Sequence, residues 1–342
     1  IGNLGYIGPL VISHLRKAYP HSNLIGFDIG YFEHALTTAS HSPEIMLDKQ
    51  YYGDVRNFPN EIIKDIDSII YLAAISNDPM GNEFEKVTKD VNYSSAVKIA
   101  EIAKKEGVRN YVFASSCSVY GFADDGMRTE KSDLNPLTAY AKSKINAEKD
   151  LELLADSNLN VTCLRFATAC GFSPRLRLDL VLNDFVASAV TNGKIEILSD
   201  GTPWRPLIHV KDMARAIDWA INRNSSNGDY FLALNAGSNN WNYQIKELAE
   251  GVKKVLPNVD IDVNKAAVPD NRSYKVDFSL FNQLAPDFFP IVSLEDAVKD
   301  LVEGLEKIKF NDTNFRESNL LRLNILRDHI NSKRLNDNLE WI

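Results

Sequence analysis

The chain has 342 residues, 44% of them hydrophobic, with 38 Lys+Arg against 46 Asp+Glu and a formal net charge of −8. That length and apolar content support a sizeable globular core and exclude a disordered chain, and the acidic balance excludes a general binder of nucleic acid or of acidic membranes. No apolar run reaches transmembrane length, no signal peptide is visible, and Cys117, Cys163 and Cys170 show no metal-ligand spacing, so free thiols in a reducing compartment are expected.

Gly2, Gly5 and Gly8 form G-x-x-G-x-x-G in GNLGYIG, with Tyr6 and Ile7 inside the motif, and the pattern PLVISHLRKAY predicts a helix near 8–19. Glycines here permit a tight turn and let a diphosphate approach backbone N–H groups at a helix N-terminus. Taken alone, the motif reads equally as a glycine-rich turn before any helix. A second apolar run, SNLIGFD, ends in Asp28, twenty residues beyond Gly8. A dinucleotide fold places at that distance the carboxylate that binds the adenosine ribose hydroxyls. A carboxylate there repels a 2′-phosphate, which favours NAD over NADP. Such a fold also needs an apolar strand immediately before the glycine loop, so a few residues are expected to precede Ile1 in the natural protein.

Asp54 and Val55, in Gly53-Asp54-Val55, follow the next short segment and could border the adenine; Asp54 alone reads equally as a turn residue. The buried-strand run SIIYLAA then brings Leu72, Ala73 and Ala74 where the backbone passes close to a cofactor. A helical pattern near 90–106 leads to the strand-like run RNYVFASS, which ends in Ser116. PLTAYAKSKINAEKDLELL predicts a helix over 137–156, with Asn135-Pro136 as its start. Tyr140 and Lys144 are four apart in it, which puts both side chains on one face. An ammonium beside a phenol lowers the phenol's pKa, and a tyrosine tuned this way takes a proton from a substrate hydroxyl near neutral pH. Ser116 could hold the same oxygen. Removing a hydroxyl proton matters most when a hydride leaves the same carbon, and the glycine loop offers a place for the acceptor.

Up to about residue 167 strand-like runs alternate with helical patterns, which predicts an α/β fold with a Rossmann-like, doubly wound parallel sheet. The expected organisation is an NAD-binding domain over 1–167, a smaller substrate lobe over 168–310, and a helical C-terminal extension over 311–342. The extension's apolar positions, Leu320, Leu321, Leu323, Ile325, Leu326 and Ile330, are expected to dock on the chain's own body.

From Ile1 to about Phe310 the chain resembles the extended short-chain dehydrogenase/reductase superfamily, and within it the NAD-dependent nucleotide-sugar epimerase/dehydratase family. The resemblance implies Ser116 (in SSCSVYG), Tyr140 and Lys144 (in YAKSK) as the catalytic group. It implies Gly2, Gly5 and Gly8 as the cofactor loop, Asp28 as the ribose acid, and Asp54 and Val55 on the adenine side. LRFATACG matches the family's next strand, with Thr168 where the family has a substrate-side Asn. Asn183 matches a contact to the nucleotide diphosphate. Arg205 (in GTPWRPLIHV) and Arg272 (in DNRSYKVD, with Asp270) match two arginines that grip it. A guanidinium fork suits that task because it binds phosphate in a bidentate way and stays charged. His209, a lone His in an apolar strand, reads as a hydrogen-bonded core residue. The family also implies that segments near 207–236 rejoin the first domain. It implies a homodimer through the 90–106 and 137–156 helices, a cytoplasmic setting, and a part in making polysaccharide.

The leading expectation for function is a nucleotide-sugar 4-epimerase using NAD. A nucleotide-sugar dehydrogenase or reductase with net turnover of the cofactor uses the same three residues. A 4,6-dehydratase is disfavoured, because the family's dehydratases carry Asp and Glu where this chain has Cys117 and Ser118. A non-catalytic NAD-binding protein is the competitor from another class.

Overall fold

The computed structural model describes residues 1–342 apart from 38–41, 124–125, 265 and 268–272. Four strands open the fold: β1 (Ile25–Asp28), β2 (Lys49–Tyr52), β3 (Ser68–Tyr71) and β4 (Asn110–Ser116). After the two-residue β5 (Met127–Arg128) comes β6 (Asn160–Phe166), and then β7 (Thr168–Cys170), β8 (Lys194–Ile197) and β9 (Trp204–His209). The last strands are β10 (Phe231–Ala236), β11 (Asn242–Gln244), β12 (Asp260–Val263) and β13 (Lys275–Val276).

The connections after β1, β3 and β4 are too long for hairpins, and these strands pair in parallel, as crossover connections demand. β3, β4, β6 and β10 form one ladder in the order β10-β6-β4-β3, and β1 pairs with β2 in another. Ile1 and Gly2 splice the two together. The Ile1 backbone nitrogen donates to the Ile70 carbonyl, the Leu72 N–H donates to the Ile1 carbonyl, and the Gly2 N–H donates to the Phe27 carbonyl. These two residues thus hold a ladder position between β1 and β3. A cavity of about 370 Å³ continues from it, walled by side chains such as Val11, Leu15, Leu24, Ile63 and Ile70.

Because the sheet is covered on both faces, its central strands read as nearly unbroken apolar runs. In β4, Tyr111, Val112 and Phe113 are all buried. On one face, Val112 and Leu164 pack with Val11 and Leu15 of helix Gly8–Ala18 and Met213 and Ile217 of helix Val210–Asn222. On the other, Tyr71, Tyr111 and Phe113 pack with Ile99 of helix Ala96–Lys105 and Leu151 of helix Ala139–Leu154. Helix Ala96–Lys105 is entered through Glu85–Lys89 and a π-helical stretch, Asp90–Ser95, so the predicted 90–106 helix is not uniform.

A second lobe has its own core, in which Leu182, Val186, Leu248, Val252 and Leu301 meet over β8 and β12. β7 pairs in parallel with β9, and β9 antiparallel with β11. Residues 207–236 return to the first lobe: β10 pairs with β6, and helix Val210–Asn222 covers the sheet. The 311–342 segment contains one helix, Arg322–Asn331, and its Leu326, Leu335 and Leu339 lie in the first lobe's core.

Candidate active site

In a doubly wound sheet the crevice lies beyond the carboxyl ends of the strands, where the winding reverses. Here that point falls between β1 and β3, at the glycine loop. Two adjoining cavities open there, of about 110 and 670 Å³. They share Tyr6, Ile7, Leu72, Ala74, Ser76 and Arg177.

The smaller cavity is lined by Gly2, Gly5, Asp28, Asp54, Val55 and Ala73, among others. A methyl group added to Gly2 would sit 2.3 Å from the Ala73 nitrogen, and one on Gly8 would sit 2.0 Å from the Asn3 carbonyl oxygen. Those two glycines therefore answer to protein packing. Gly5 differs: a methyl there meets only the Gly2 carbonyl at 3.6 Å, an ordinary contact. The bare backbone of Gly5 thus suits close approach by a ligand group, the property that a diphosphate cradle needs. Gly8 does not line the cavity; it opens the helix and packs on Asn3. The Asp28 carboxylate accepts from the Leu4 N–H at 2.9 Å and the Gly30 N–H at 2.8 Å. Burial raises its pKa and these two bonds oppose the rise. Asp54 caps the turn Val55–Asn57, and its oxygens take Arg56 Nε at 2.8 Å and Nη2 at 2.6 Å. The residues present fit an adenine dinucleotide: an open glycine loop, a carboxylate in the lining and apolar walls.

The larger cavity holds Ser116, Tyr140, Lys144, Thr168 and Arg205. β4 delivers Ser116 at its carboxyl end. Thr138 starts the next helix: its hydroxyl accepts the Ala141 N–H at 3.2 Å and donates to Asp78 Oδ1 at 2.7 Å. The helix therefore begins at Ala139, and the expected start at Asn135-Pro136 lies in the preceding loop. Tyr140 and Lys144 follow one turn apart. The Lys144 ammonium donates to the Ala114 carbonyl at 2.7 Å and lies 5.5 Å from the centre of the Tyr140 ring. Ser116, whose Oγ accepts the Ser118 N–H at 3.1 Å, lies near enough to act to lower the Tyr140 pKa.

Burial outweighs these contacts. It pushes Tyr140 up to about 12 and pulls Lys144 down to about 7. The expected lowering of the phenol by the ammonium is thus not what the geometry produces by itself. Both groups share one desolvated space, and the ammonium that should favour phenolate is itself losing its charge.

Thr168 lies at the start of β7 and Arg205 in β9; the Arg205 guanidinium sits 5.9 Å from the Tyr274 ring centre. Arg272 and Asp270 lie outside the described residues. Asn183 lies outside both cavities and is fully buried. Its amide donates to the Tyr6 hydroxyl at 3.0 Å and the Arg177 carbonyl at 2.9 Å, and its oxygen accepts the Gly171 N–H at 3.0 Å. Asn183 therefore braces the wall rather than facing a ligand. His209 is a core residue, with Nε2 3.1 Å from Asp300 and Nδ1 accepting the Lys211 N–H.

Further residues line the walls. Arg177 lines both cavities, pairs with Asp179 at 2.9 Å and donates to Ser76 Oγ at 3.0 Å. Tyr274 lines the larger cavity, and Arg322 of the C-terminal extension lines the smaller. Arg175 and Arg177, in RLRLD, read from the sequence as a local cluster that can meet a diphosphate, whereas nothing local to Tyr274 or Arg322 marks them.

A parallel doubly wound sheet with a glycine loop and an acidic strand end at its switch point, and a Ser–Tyr–Lys group in the adjoining cavity, defines an enzyme of the short-chain dehydrogenase/reductase class. The model of the NAD dependent epimerase/dehydratase family matches residues 1–235, and the chain belongs to that family; its cofactor is NAD. The chain is 26% identical over 279 residues to the UDP-glucose 4-epimerase of Lactobacillus helveticus, covering 75% of this chain and 80% of that one. It is 27% identical over 278 residues to the UDP-glucuronate 4-epimerase of Thermodesulfobacterium geofontis, covering 76% and 81%. Its fold matches the solved UDP-glucuronic acid 4-epimerase from Bacillus cereus in complex with NAD with a TM-score of 0.73, at 20% identity, over 90% of this chain and 94% of that one.

Proposed function

We propose that the protein is a nucleotide-sugar 4-epimerase that works through a transient 4-keto sugar. The observation that carries this reading is the meeting of Ser116, Tyr140 and Lys144 in the larger cavity, which adjoins the smaller one. NAD, which the residues of the smaller cavity would hold, would supply the acceptor and donor of the C4 hydride. Tyr140 takes the proton of the C4 hydroxyl and later returns it. Ser116 holds the same oxygen. Lys144, fixed on the Ala114 carbonyl, supports the phenolate. Arg205 and Thr168 line the space for the sugar nucleotide, and Arg205 and Arg272 are assigned to its diphosphate.

Elimination of water across C5 and C6 finds no carboxylate base at the two positions after Ser116, Cys117 and Ser118. The Cys117 thiol is buried and bonded to the Arg165 carbonyl at 3.1 Å, and burial pushes its pKa well up. Net oxidation at C4 remains the second reading, because the same three residues would serve it.

The test is a panel of UDP-, GDP-, CDP- and dTDP-sugars with NAD, followed by proton NMR. UDP-sugars head it, since the similar proteins above are epimerases of UDP-glucose and UDP-glucuronate. A new sugar isomer without accumulating NADH supports the epimerase. A keto sugar with stoichiometric NADH replaces it with a dehydrogenase. We further propose a homodimer in which helices Ala96–Lys105 and Ala139–Leu154 pair with their copies; Leu153 stands 81% exposed on the second of these. A monomer by light scattering at micromolar concentration rejects that assembly.

A further inference from the structure

The smaller cavity has one wall that lies outside the family-matched residues 1–235. It comes from the extension: Arg316 and Leu321 line the larger cavity and Arg322 the smaller. Arg322 is only 1% exposed. Its Nη2 donates to the Arg175 carbonyl at 2.8 Å, and the guanidinium lies 4.8 Å from the centre of the Phe32 ring. Nη1 has no hydrogen-bond partner, and no carboxylate lies within ion-pair distance of the group among the described residues.

Its neighbours are treated differently. Arg175 is paired with Glu44 at 2.6 Å, and Arg177 with Asp179 at 2.9 Å. Three guanidinium groups thus crowd one region, and two have their own carboxylates. Burial, with Arg177 beside it, pulls the Arg322 pKa down to about 9. A buried cation without an anion is costly for a folded protein, so its retention calls for an anion supplied from elsewhere. The cavity that Arg322 lines is the one with the glycine loop, whose N–H groups favour phosphate.

We propose that Arg322 binds the diphosphate of NAD, so that the C-terminal extension forms part of the cofactor site. This inference rests on the assignment of NAD to the smaller cavity. A guanidinium fork matches two phosphate oxygens, and stacking on Phe32 sets its plane. The extension then contributes to the same cofactor wall as the glycine loop.

The experiment is calorimetric titration of the full chain and of Arg322→Met with NAD, ADP and adenosine, with thermal melting of the ligand-free proteins. Binding of NAD by the wild type tests the cofactor assignment on its own. Arg322→Met is expected to weaken NAD and ADP about ten- to a hundredfold, as loss of a charge-assisted bond does, and to leave adenosine within about twofold. Its ligand-free melting point is expected to stay the same or rise, because a desolvated charge has been removed. Arg322→Lys should recover part of the ADP affinity, and it keeps the test open if Arg322→Met does not fold. Unchanged ADP affinity in either variant, or equal losses for ADP and adenosine, overturns the proposal and leaves Arg322 as a packing residue.

Discussion

Tyr140 and Lys144 share one buried space, and desolvation moves them in opposite directions, toward about 12 and about 7. Tyr140→Phe removes the group placed to move the proton, and turnover is expected to fall by about 10²–10⁴-fold. Near-normal turnover in a coupled assay would reject the role. Lys144 carries a stability consequence as well. Its folded pKa of about 7 lies below the unfolded value of 10.5, so from pH 7 upward the unfolded chain binds the extra proton. Stability from this group therefore rises with pH, with a slope approaching about 1.4 kcal/mol per pH unit. Denaturant titrations at pH 7, 8 and 9 should show that slope in the wild type and its loss in Lys144→Met. The glycines divide in the same way. Gly5→Ala should leave stability nearly unchanged and weaken NAD binding, whereas Gly8→Ala must push a methyl into the Asn3 carbonyl and should unfold the protein. That Ser116, Tyr140 and Lys144 meet in one cavity was readable because i, i+4 spacing and a strand end are local signals. That Asn183 braces a wall was not readable, because its partners come from Tyr6, Gly171 and Arg177.

Helix Ala139–Leu154 owes its start to Thr138, whose hydroxyl serves the Ala141 N–H and Asp78 together. Thr138→Ala is expected to cost about 1 kcal/mol in chemical denaturation, the usual worth of such a cap. Because Tyr140 is only two residues on, turnover should fall as well. The sequence signal for a helix start was read at Asn135-Pro136. The Asn135 N–H instead donates to the Val119 carbonyl, and that tertiary contact holds the segment in a loop. β1, β3, β4 and β6 were legible because their apolar runs are buried on both faces. The two-residue strands β5 and β13 carry no such pattern, and they exist only because each pairs with the other across a wide sequence gap.

The molecule as a whole is tied together by its extension. Phe315 lies in the core of the second lobe, and Leu326, Leu335 and Leu339 lie in the core of the first. Each such side chain, once buried, is worth about 1.5–3 kcal/mol, so together they rival the net stability of a domain. A chain ending at residue 310 is expected to be insoluble or to bind hydrophobic dyes strongly, as a solubility assay with dye fluorescence would show. The doubly wound sheet could be read from alternating patterns, and the docking of residues 311–342 on the chain's own body from their apolar positions, whereas the receiving faces could not, since an amphipathic tail does not name them. The tail's last contacts reach back to the beginning: the Trp341 indole donates to the Ile29 carbonyl at 2.8 Å, and the Tyr31 hydroxyl donates to the Leu339 carbonyl. Emerging from the ribosome, the first lobe must therefore wait until residues 339–341 have been made before its core is covered. Until then it exposes apolar surface of the kind that chaperones hold.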